Sequence, residues 1–407
     1  MTRHIFKLVW NRKRSTGLIL VEILICFLVL CGILSAGLSL GQRWQKPLGF
    51  DYENVWSVDI SGMDWQAEGE ELAANQQSIL QMLREVRNLP EVEATAASTN
   101  TPFSGSSWLN STWINGVEEA VQWTMITPDL PDVLKLELLY GRWIDDTDPA
   151  LEYRPVVINQ RFARAVFGLD DAVGQDMPVY DDQGQVTTPE EDAIANRIVG
   201  VMDDYRRHGV TREDPYVMFV AVDLGKDGDL PTELLVRVRP GTTAAVEESL
   251  VRTMQQINPH WSYKTTLIED VRRNAITIYV TPLLITAVIA VFLITMVGLG
   301  LVGVLWLNVT RRTSELGLRR ALGASTVSVR GQILGELWAL TGIAVITGTV
   351  IFLQLPLFGA NFGLSWPVFL GGAAMSAALV YGFVTFCGLY PTWLATRILP
   401  ATALQYE

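Results

Sequence analysis

The chain reads as an α-helical membrane protein with four transmembrane helices and a large α+β extracytoplasmic domain inserted between helices 1 and 2. Three observations predict this. Four long apolar runs cross the 407 residues, three of them fall in the last third, and almost all the acid lies between the first and second. Averages conceal the segregation: 49% of residues are apolar, 18% are charged, and the net charge is -12. The mean hydropathy is +0.24 and the sequence pI is near 4.9. That apolar content excludes disorder. The acidic balance argues against a nucleic-acid partner, because phosphate binding needs a basic footprint. Neither 33 Gly nor 18 Pro approaches a collagen-like composition.

Residues 1–16 form a cytoplasmic basic segment carrying Arg3, Lys7, Arg12, Lys13 and Arg14 without an acid. Transmembrane helix 1 is expected at 17–40, where Glu22 is the single charge. About 24 helical residues reach roughly 36 Å, enough to cross a bilayer core with some tilt. Ser35-Ala36-Gly37 resembles a signal-peptide cleavage region. Secretory apolar regions run only about 7–15 residues, however, so a retained helix is predicted. Residues 41–275 form the outer domain, and transmembrane helix 2 follows at 276–309 with no charge. A loop at 310–332 carries Arg311, Arg312, Arg319, Arg320 and Arg330 against Glu315 alone. Transmembrane helices 3 and 4 are expected at 333–358, with Glu336 near its start, and at 366–395, and a short tail spans 396–407. Positive-inside reasoning places both termini and the 310–332 loop in the cytoplasm, and four crossings make that consistent. The net charge then splits into -19 outside and +7 for the remainder. The cationic inner face suits anionic lipid headgroups. Cys26, Cys31 and Cys387 all fall in the membrane runs, so the outer domain is not stapled by disulfides.

Within the outer domain, Val55–Ser61 and Val92–Thr99 read as strands flanking an amphipathic helix at Glu70–Asn88. A second trio follows the same pattern, with strand Glu233–Arg239, helix Thr243–Ile257 and strand Trp261–Leu267. Pro90 and Pro259 stop the two helices. Two such units suggest a split, ferredoxin-like core at about 51–140 and 230–270, with an inserted subdomain at about 141–229. In that insertion Pro155–Asn159, Asn196–Met202 and Tyr216–Val222 read as strands, and Arg161–Phe167 as a short helix. The acidic stretch Asp181–Ala193 is expected to be an exposed loop.

Catalytic signals are missing from the sequence. His4, His208 and His260 are too scattered for a triad or a metal site. Asp145-Asp146-Thr147-Asp148 and Asp203-Asp204 do not fit EF-hand spacing and read as solvated turns. There is no G-x-x-x-x-G-K-[ST] phosphate loop, so nucleotide hydrolysis through a Walker site is not expected here. The chain is expected not to be an enzyme.

The loop segment from Asn308 to Ser325 carries more information. Ser314 can cap a short helix in which Glu315 pairs at i,i+4 with Arg319, while Leu318, Ala321 and Leu322 share one face. Gly323 can end that helix in a left-handed conformation, and Ser325 can cap the next. The stretch Arg-Arg-Thr-Ser-Glu-Leu-Gly-Leu-Arg-Arg-Ala-Leu-Gly-Ala beginning at Arg311 closely resembles the hallmark of MacB/FtsX-like ABC transporter permeases. Tyr390-Pro391, Arg397 and Pro400–Leu404 are similar to that family's closing motif. Leu139–Arg142, Val156–Asn159, Ala165–Gly168, Val173-Gly174 and Ile198–Val201 resemble its periplasmic core domain.

The resemblance implies a bacterial inner-membrane permease that dimerises with a second copy or a paralogue. It also implies a separate cytoplasmic ATPase that binds the ATP, so this chain holds no cofactor of its own. The expected work is mechanotransmission for export of a peptide, lipid, lipoprotein or drug, and a periplasmic adaptor or substrate protein is a further expected partner. The alternative is a non-transporting, FtsX-like regulator of an envelope enzyme. Carried over by position, Arg311, Arg312, Glu315, Leu316, Gly317, Arg319, Arg320, Ala321 and Gly323 would form the ATPase-coupling element. Lys7, Arg12, Lys13 and Arg14 would lie along the inner leaflet. Glu22 departs from the family pattern.

Overall fold

The computed structural model describes residues 13–64, 67–105, 109–145, 147–148, 152–181, 183–187, 194–213, 216–222, 230–242, 245–311, 325–359 and 364–395. They form two compact units: one of Trp44–Ile278, the other of the residues before and after it.

The elements follow in order: helix α1 (Lys13–Trp44), strand β1 (Val55–Ser61), α2 (Gly69–Arg87), β2 (Val92–Ser98), β3 (Leu109–Ile114), β4 (Val117–Ile126), α3 (Leu130–Leu134) and β5 (Leu138–Gly141). Next come β6 (Arg154–Asn159), α4 (Gln160–Phe167), β7 (Val179–Tyr180), β8 (Val186–Thr187), β9 (Asn196–Met202), β10 (Val217–Ala221), β11 (Glu233–Val238), α5 (Ala245–Ile257) and β12 (Ser262–Leu267). The chain continues through α6 (Ile268–Arg311), α7 (Thr326–Leu357) and α8 (Trp366–Ala395).

Helices α1, α6, α7 and α8 are each long and apolar enough to cross a membrane. Their shared core joins Ile23, Phe27 and Leu30 of α1 to Val297, Phe352, Phe369 and Val384 of the other three. Helix α1 sits close to two neighbours because glycines face it. A Cβ on Gly372 would lie 1.9 Å from Ser35 Oγ, and one on Gly348 would lie 2.5 Å from the Phe27 ring. Gly298 meets Phe383 in the same way, whereas Gly303 and Gly382 face open space. Buried hydroxyls return a hydrogen bond to the carbonyl one turn earlier, as Ser376 does to Gly372 O at 2.7 Å and Thr341 to Leu337 O at 2.9 Å. Lipid offers no alternative partner, so these internal bonds satisfy the hydroxyls.

The helices outrun their apolar segments. Helix 2, expected at 276–309, begins at Ile268, and helix 3, expected at 333–358, begins at Thr326, inside the expected 310–332 loop. Hydropathy marks the part that suits lipid, while backbone hydrogen bonding continues through polar residues. Glu269 and Asp270 stand in the first turn of α6, where the helix dipole favours them. Pro282 interrupts the α6 ladder once. Ser325 caps α7, its side chain accepting from Ser328 N at 3.2 Å.

In the outer unit's ten-stranded sheet, nine strands run in the order β12-β1-β11-β2-β4-β10-β6-β9-β5, and β3 pairs on β4. Strands β12, β1, β11 and β2 are antiparallel throughout. Helices α2 and α5 cover one face of them through Ile79, Met82, Val86, Leu250 and Met254, packed on Val58, Leu234 and Val236. The other face of β11 buries Leu235 in a second core with Leu134, Phe103, Tyr205 and Phe219.

An inserted subdomain at 141–229, distinct from a core at 51–140, is not how the strands group. Strands β3 and β4 belong with β10, β6, β9 and β5, and the sheet passes from β2 to β4 through the single pair Ser98–Ile126. Alternation in sequence tells which face a residue takes, but not which strand it lies beside. Of the acidic stretch 181–193, residues 182 and 188–193 lie outside the described residues; within the rest, Val186–Thr187 pairs with Val179–Tyr180 as a hairpin, with Gly184 (φ 75°) in its turn.

Candidate functional site

The residues expected to couple to an ATPase are only partly placed. Arg311 is the last residue of α6. Arg312, Glu315, Leu316, Gly317, Arg319, Arg320, Ala321 and Gly323 lie outside the described residues, as do Lys7 and Arg12. Lys13 and Arg14 open α1. Among the described residues, then, these positions are not assembled into one site.

The structure does assemble the two chain segments that connect the outer domain to the membrane helices. Residues 45–53, after α1, are tied to three parts of the outer unit. Arg206 N donates to Leu48 O at 2.9 Å, and Arg206 Nη1 donates to Lys46 O at 3.1 Å. Lys46 pairs with Glu213. Asp51 accepts from Lys135 Nζ at 2.9 Å and stands 3.5 Å from Arg237 Nη1. Burial alone would raise the Asp51 carboxyl. The hydrogen bonds from Lys135 and the Glu53 amide, with the Arg237 charge, hold it below its usual range.

Arg237 is the strongest of these ties. It is 4% exposed on β11, on the face shared with Leu235, and it donates to three main-chain carbonyls. These are Val133 O at 2.6 Å, Glu53 O at 2.9 Å and Asp51 O at 2.9 Å. One guanidinium thereby joins the central sheet, α3 and the segment leaving α1. A planar fork of donors suits this, whereas a lysine could not reach all three acceptors at once.

The start of α6 is held as firmly. Ile268 is buried in the core with Leu235, and Val271 and Ala275 pack beside it at helical spacing. Arg272 Nη1 donates to Tyr52 Oη at 2.7 Å. Its guanidinium also lies 5.0 Å from the Tyr52 ring centre, 5.7 Å from Trp44 and 5.9 Å from Phe103. Phe50 stacks among Tyr52, Phe103 and Tyr205, which extends this aromatic collar into the domain. Cation–π contact of this kind is strongest where water is excluded. The first two turns of α6 are therefore part of the outer domain's own core.

A half-buried acid stands at one end of the same core sheet. Glu233, at the start of β11, is cross-strand from Asp59. Burial pushes its carboxyl up to about 7; the Thr101 hydrogen bond and the Arg207 charge pull it down, and Asp59 pushes it up. Because the folded value lies above the ordinary one, the native state keeps a proton that the unfolded chain has lost between those values. Stability is therefore fullest below the ordinary carboxylate range and falls as pH rises through about 7. Glu233→Gln should flatten this slope and add about 2–3 kcal/mol at pH 8. Urea midpoints of the full chain at pH 5.5 and pH 8 measure it; an unchanged slope would refute the assignment.

Of the two acid clusters, Asp145 and Asp203 are exposed as expected of solvated turns and Asp146 lies outside the described residues, but Asp148 departs from that reading. Asp148 is only 2% exposed and takes both Arg142 nitrogens, at 3.0 and 2.5 Å, together with the Asp145 amide at 2.8 Å. Asp204 accepts from Asn159 Nδ2 at 3.1 Å. Among the described residues no group of three His, Cys, Asp or Glu could hold a metal ion. Sequence reasoning passed over Arg237, Arg272 and Arg206, whose roles depend on contacts far along the chain, and read Asp148 as part of a solvated turn.

Residues 16–253 match the model of a MacB-like periplasmic core domain, and residues 287–400 that of an FtsX-like permease C-terminal region. The Macrolide export ATP-binding/permease protein MacB of Bdellovibrio bacteriovorus is 22% identical, covering 98% of this chain and 60% of its own length. That of Paracoccus denitrificans is 27% identical over 67% of this chain and 40% of its own length. The chain thus spans 60% or less of these two relatives. An uncharacterized ABC transporter permease of Bacillus subtilis, YvrN, is 23% identical over 69% of each chain. The crystal structure of the periplasmic region of MacB from Actinobacillus actinomycetemcomitans covers 57% of this chain and 97% of its own at 13% identity. Its TM-score is 0.36.

Proposed function

Because this chain belongs to the MacB-like ABC permease family, joining a MacB-like periplasmic core domain to an FtsX-like permease region, we propose that it converts ATP hydrolysis on a separate cytoplasmic ATPase into motion of its outer domain. The output is export or extrusion of a peptide, lipid, lipoprotein or drug. Both termini and the 310–332 loop face the cytoplasm, and the working unit is a dimer with a second copy or a paralogue. The relatives named ATP-binding/permease proteins are longer than this chain. With no phosphate-loop motif in its own sequence, it takes the permease part of that work.

The observation that carries this reading is the continuity of α6. It leaves β12 without a linker, Leu267 being the last strand residue and Ile268 the first helical one, and runs 44 residues to Arg311. At 1.5 Å per residue, 44 residues amount to roughly 66 Å of helix. One end is embedded in the outer domain's core, and the other stops at the Arg-rich segment that resembles the family's coupling motif. A push applied beyond Arg311 is delivered along one helix whose ladder is interrupted once, at Pro282.

Exchanging the charges by Glu315→Arg with Arg319→Glu should abolish stimulation of the cognate ATPase and its co-purification with the chain. Each single reversal should do the same, since it inverts the charge at one of the positions carried over as the coupling element. Co-purification and ATPase assays of reconstituted complexes measure this, and full stimulation in the single variants would defeat the assignment.

A further inference from the structure

We propose that an anionic phospholipid binds in a groove between α6, α7 and α8, at the end of these helices that carries the 310–332 loop. The groove measures about 520 Å³ and takes lining residues from all three helices. That volume falls in the range of sites for single small ligands.

Three features of the lining choose the guest. First, its character changes along the helices. Helix α7 contributes Arg330 near its start and Leu334 one turn further in. Helix α8 runs the other way and contributes Phe386 before Tyr390 and Trp393, which stand close to its end at Ala395. Helix α6 contributes Val302, more than two turns before its last residue, Arg311. The deep part is therefore apolar on all three helices, and the polar part lies nearer the loop on α7 and α8. A phospholipid's chains and headgroup follow the same order. Second, charge in the groove has one sign. Arg330 is exposed, and no described Asp or Glu lines the groove. A guanidinium fork suits phosphate oxygens, whereas a choline headgroup would bring its own cation against it. Third, Tyr390 and Trp393 stack, with ring centres 6.4 Å apart and planes 26° apart. Rings that carry one polar atom settle at the level of lipid headgroups, so the pair marks the groove's mouth as interfacial. A purely apolar guest would leave the Arg330 charge unused, and an anion without a chain would leave the apolar depth unfilled.

This binding needs neither ATP nor an ATPase, so it stands or falls independently of the coupling role. The test uses the purified full chain in a neutral detergent, titrated with dioleoyl phosphatidylglycerol or dioleoyl phosphatidylcholine. The two lipids share their chains and differ in net charge. Native mass spectrometry should show one phosphatidylglycerol retained per chain at about fivefold lower concentration than phosphatidylcholine, the scale of one cation beside a headgroup. Arg330→Gln should remove that difference. Arg273→Gln, the same change on an exposed side chain towards the other end of α6, should keep it. Cys387→Trp, which fills part of the groove, should weaken both lipids. Urea midpoints check that the variants still fold. A diazirine-bearing phosphatidylglycerol should crosslink to peptides that hold residues 330–334 and 386–393. Equal retention of the two lipids by the unaltered chain, an unchanged preference in Arg330→Gln, or crosslinks confined to other segments would overturn the proposal. Retention of neither lipid, the result expected if a second copy or the chain's own tail covers the groove, would also overturn it.

Discussion

Replacing Arg237 with leucine should destabilise the outer domain by about 3–5 kcal/mol, the range seen when one member of a buried charged network is removed. The physical reason is the loss of donors from three carbonyls that stay buried. Val133 O, Glu53 O and Asp51 O each accept from this one guanidinium. Each carbonyl left without a partner costs about 1–3 kcal/mol, and relaxation or water recovers part of the sum. Leucine fills much of the volume, so the effect cannot be ascribed to a cavity alone. Lysine at the same position keeps the charge beside Asp51 but loses the fork, and should recover less than half of the loss. Arg252→Ala serves as the comparison: Arg252 pairs with Glu248 one turn away on the exposed face of α5. Surface pairs of this kind contribute little, so no resolvable change is expected. Urea unfolding of the full chain followed by tryptophan fluorescence measures all three. A midpoint for Arg237→Leu within error of the unaltered chain would show that the three carbonyls find other partners.

Four glycines inserted after Asn274 should uncouple the outer domain from the membrane helices while leaving both folded. The insertion falls beyond Arg272, so the aromatic collar and the Tyr52 hydrogen bond are kept. It also precedes Ile276, where the apolar run begins. A glycine linker is flexible and transmits little directed force, whereas a helix is stiffer even with the one interruption at Pro282. With an environment-sensitive dye on Val117→Cys, in the exposed β3–β4 hairpin, the ATP-driven signal should fall by about tenfold or more. Recruitment of the ATPase should be unchanged, because the segment beyond Arg311 is untouched. Retention of the full signal would mean that motion reaches the outer domain by another path, through α1 and the segment 45–53. A four-alanine insertion separates length from stiffness, since alanine continues the helix but rotates the part below it.

These two experiments probe features of different legibility. Helix α6 was readable in part: its apolar run locates the lipid-spanning stretch, but nothing in hydropathy says that the helix begins eight residues earlier, fused to a strand. Arg237 was not readable. In sequence it is one charge at the end of Glu233–Arg239, and alternation places it opposite Leu234 and Val236. Only the fold brings Asp51 and Val133 to its other side. The β3–β4 hairpin carried a signal that reading by segments passed over. Asn115-Gly116 is the dipeptide of a two-residue hairpin turn, and both residues adopt positive φ, 52° and 78°. The buried member of the Asp145–Asp148 cluster had no such mark, because Asp148 differs from Asp145 only in what surrounds it.

Sequence alone determined the four spans, the predicted sidedness of the loops and the confinement of acid to one domain. These follow from local sums: the transfer of about twenty side chains into lipid, and the count of cations in short loops, do not depend on which segments touch. The tertiary structure decided which strands lie side by side, which glycines face a neighbour and which arginines become ties between distant segments. Those outcomes come from contacts between residues far apart in the chain, where partner identity and directional hydrogen bonding govern the energy. Gly372 and Gly382 are alike in sequence; one sits against Ser35 and the other against nothing.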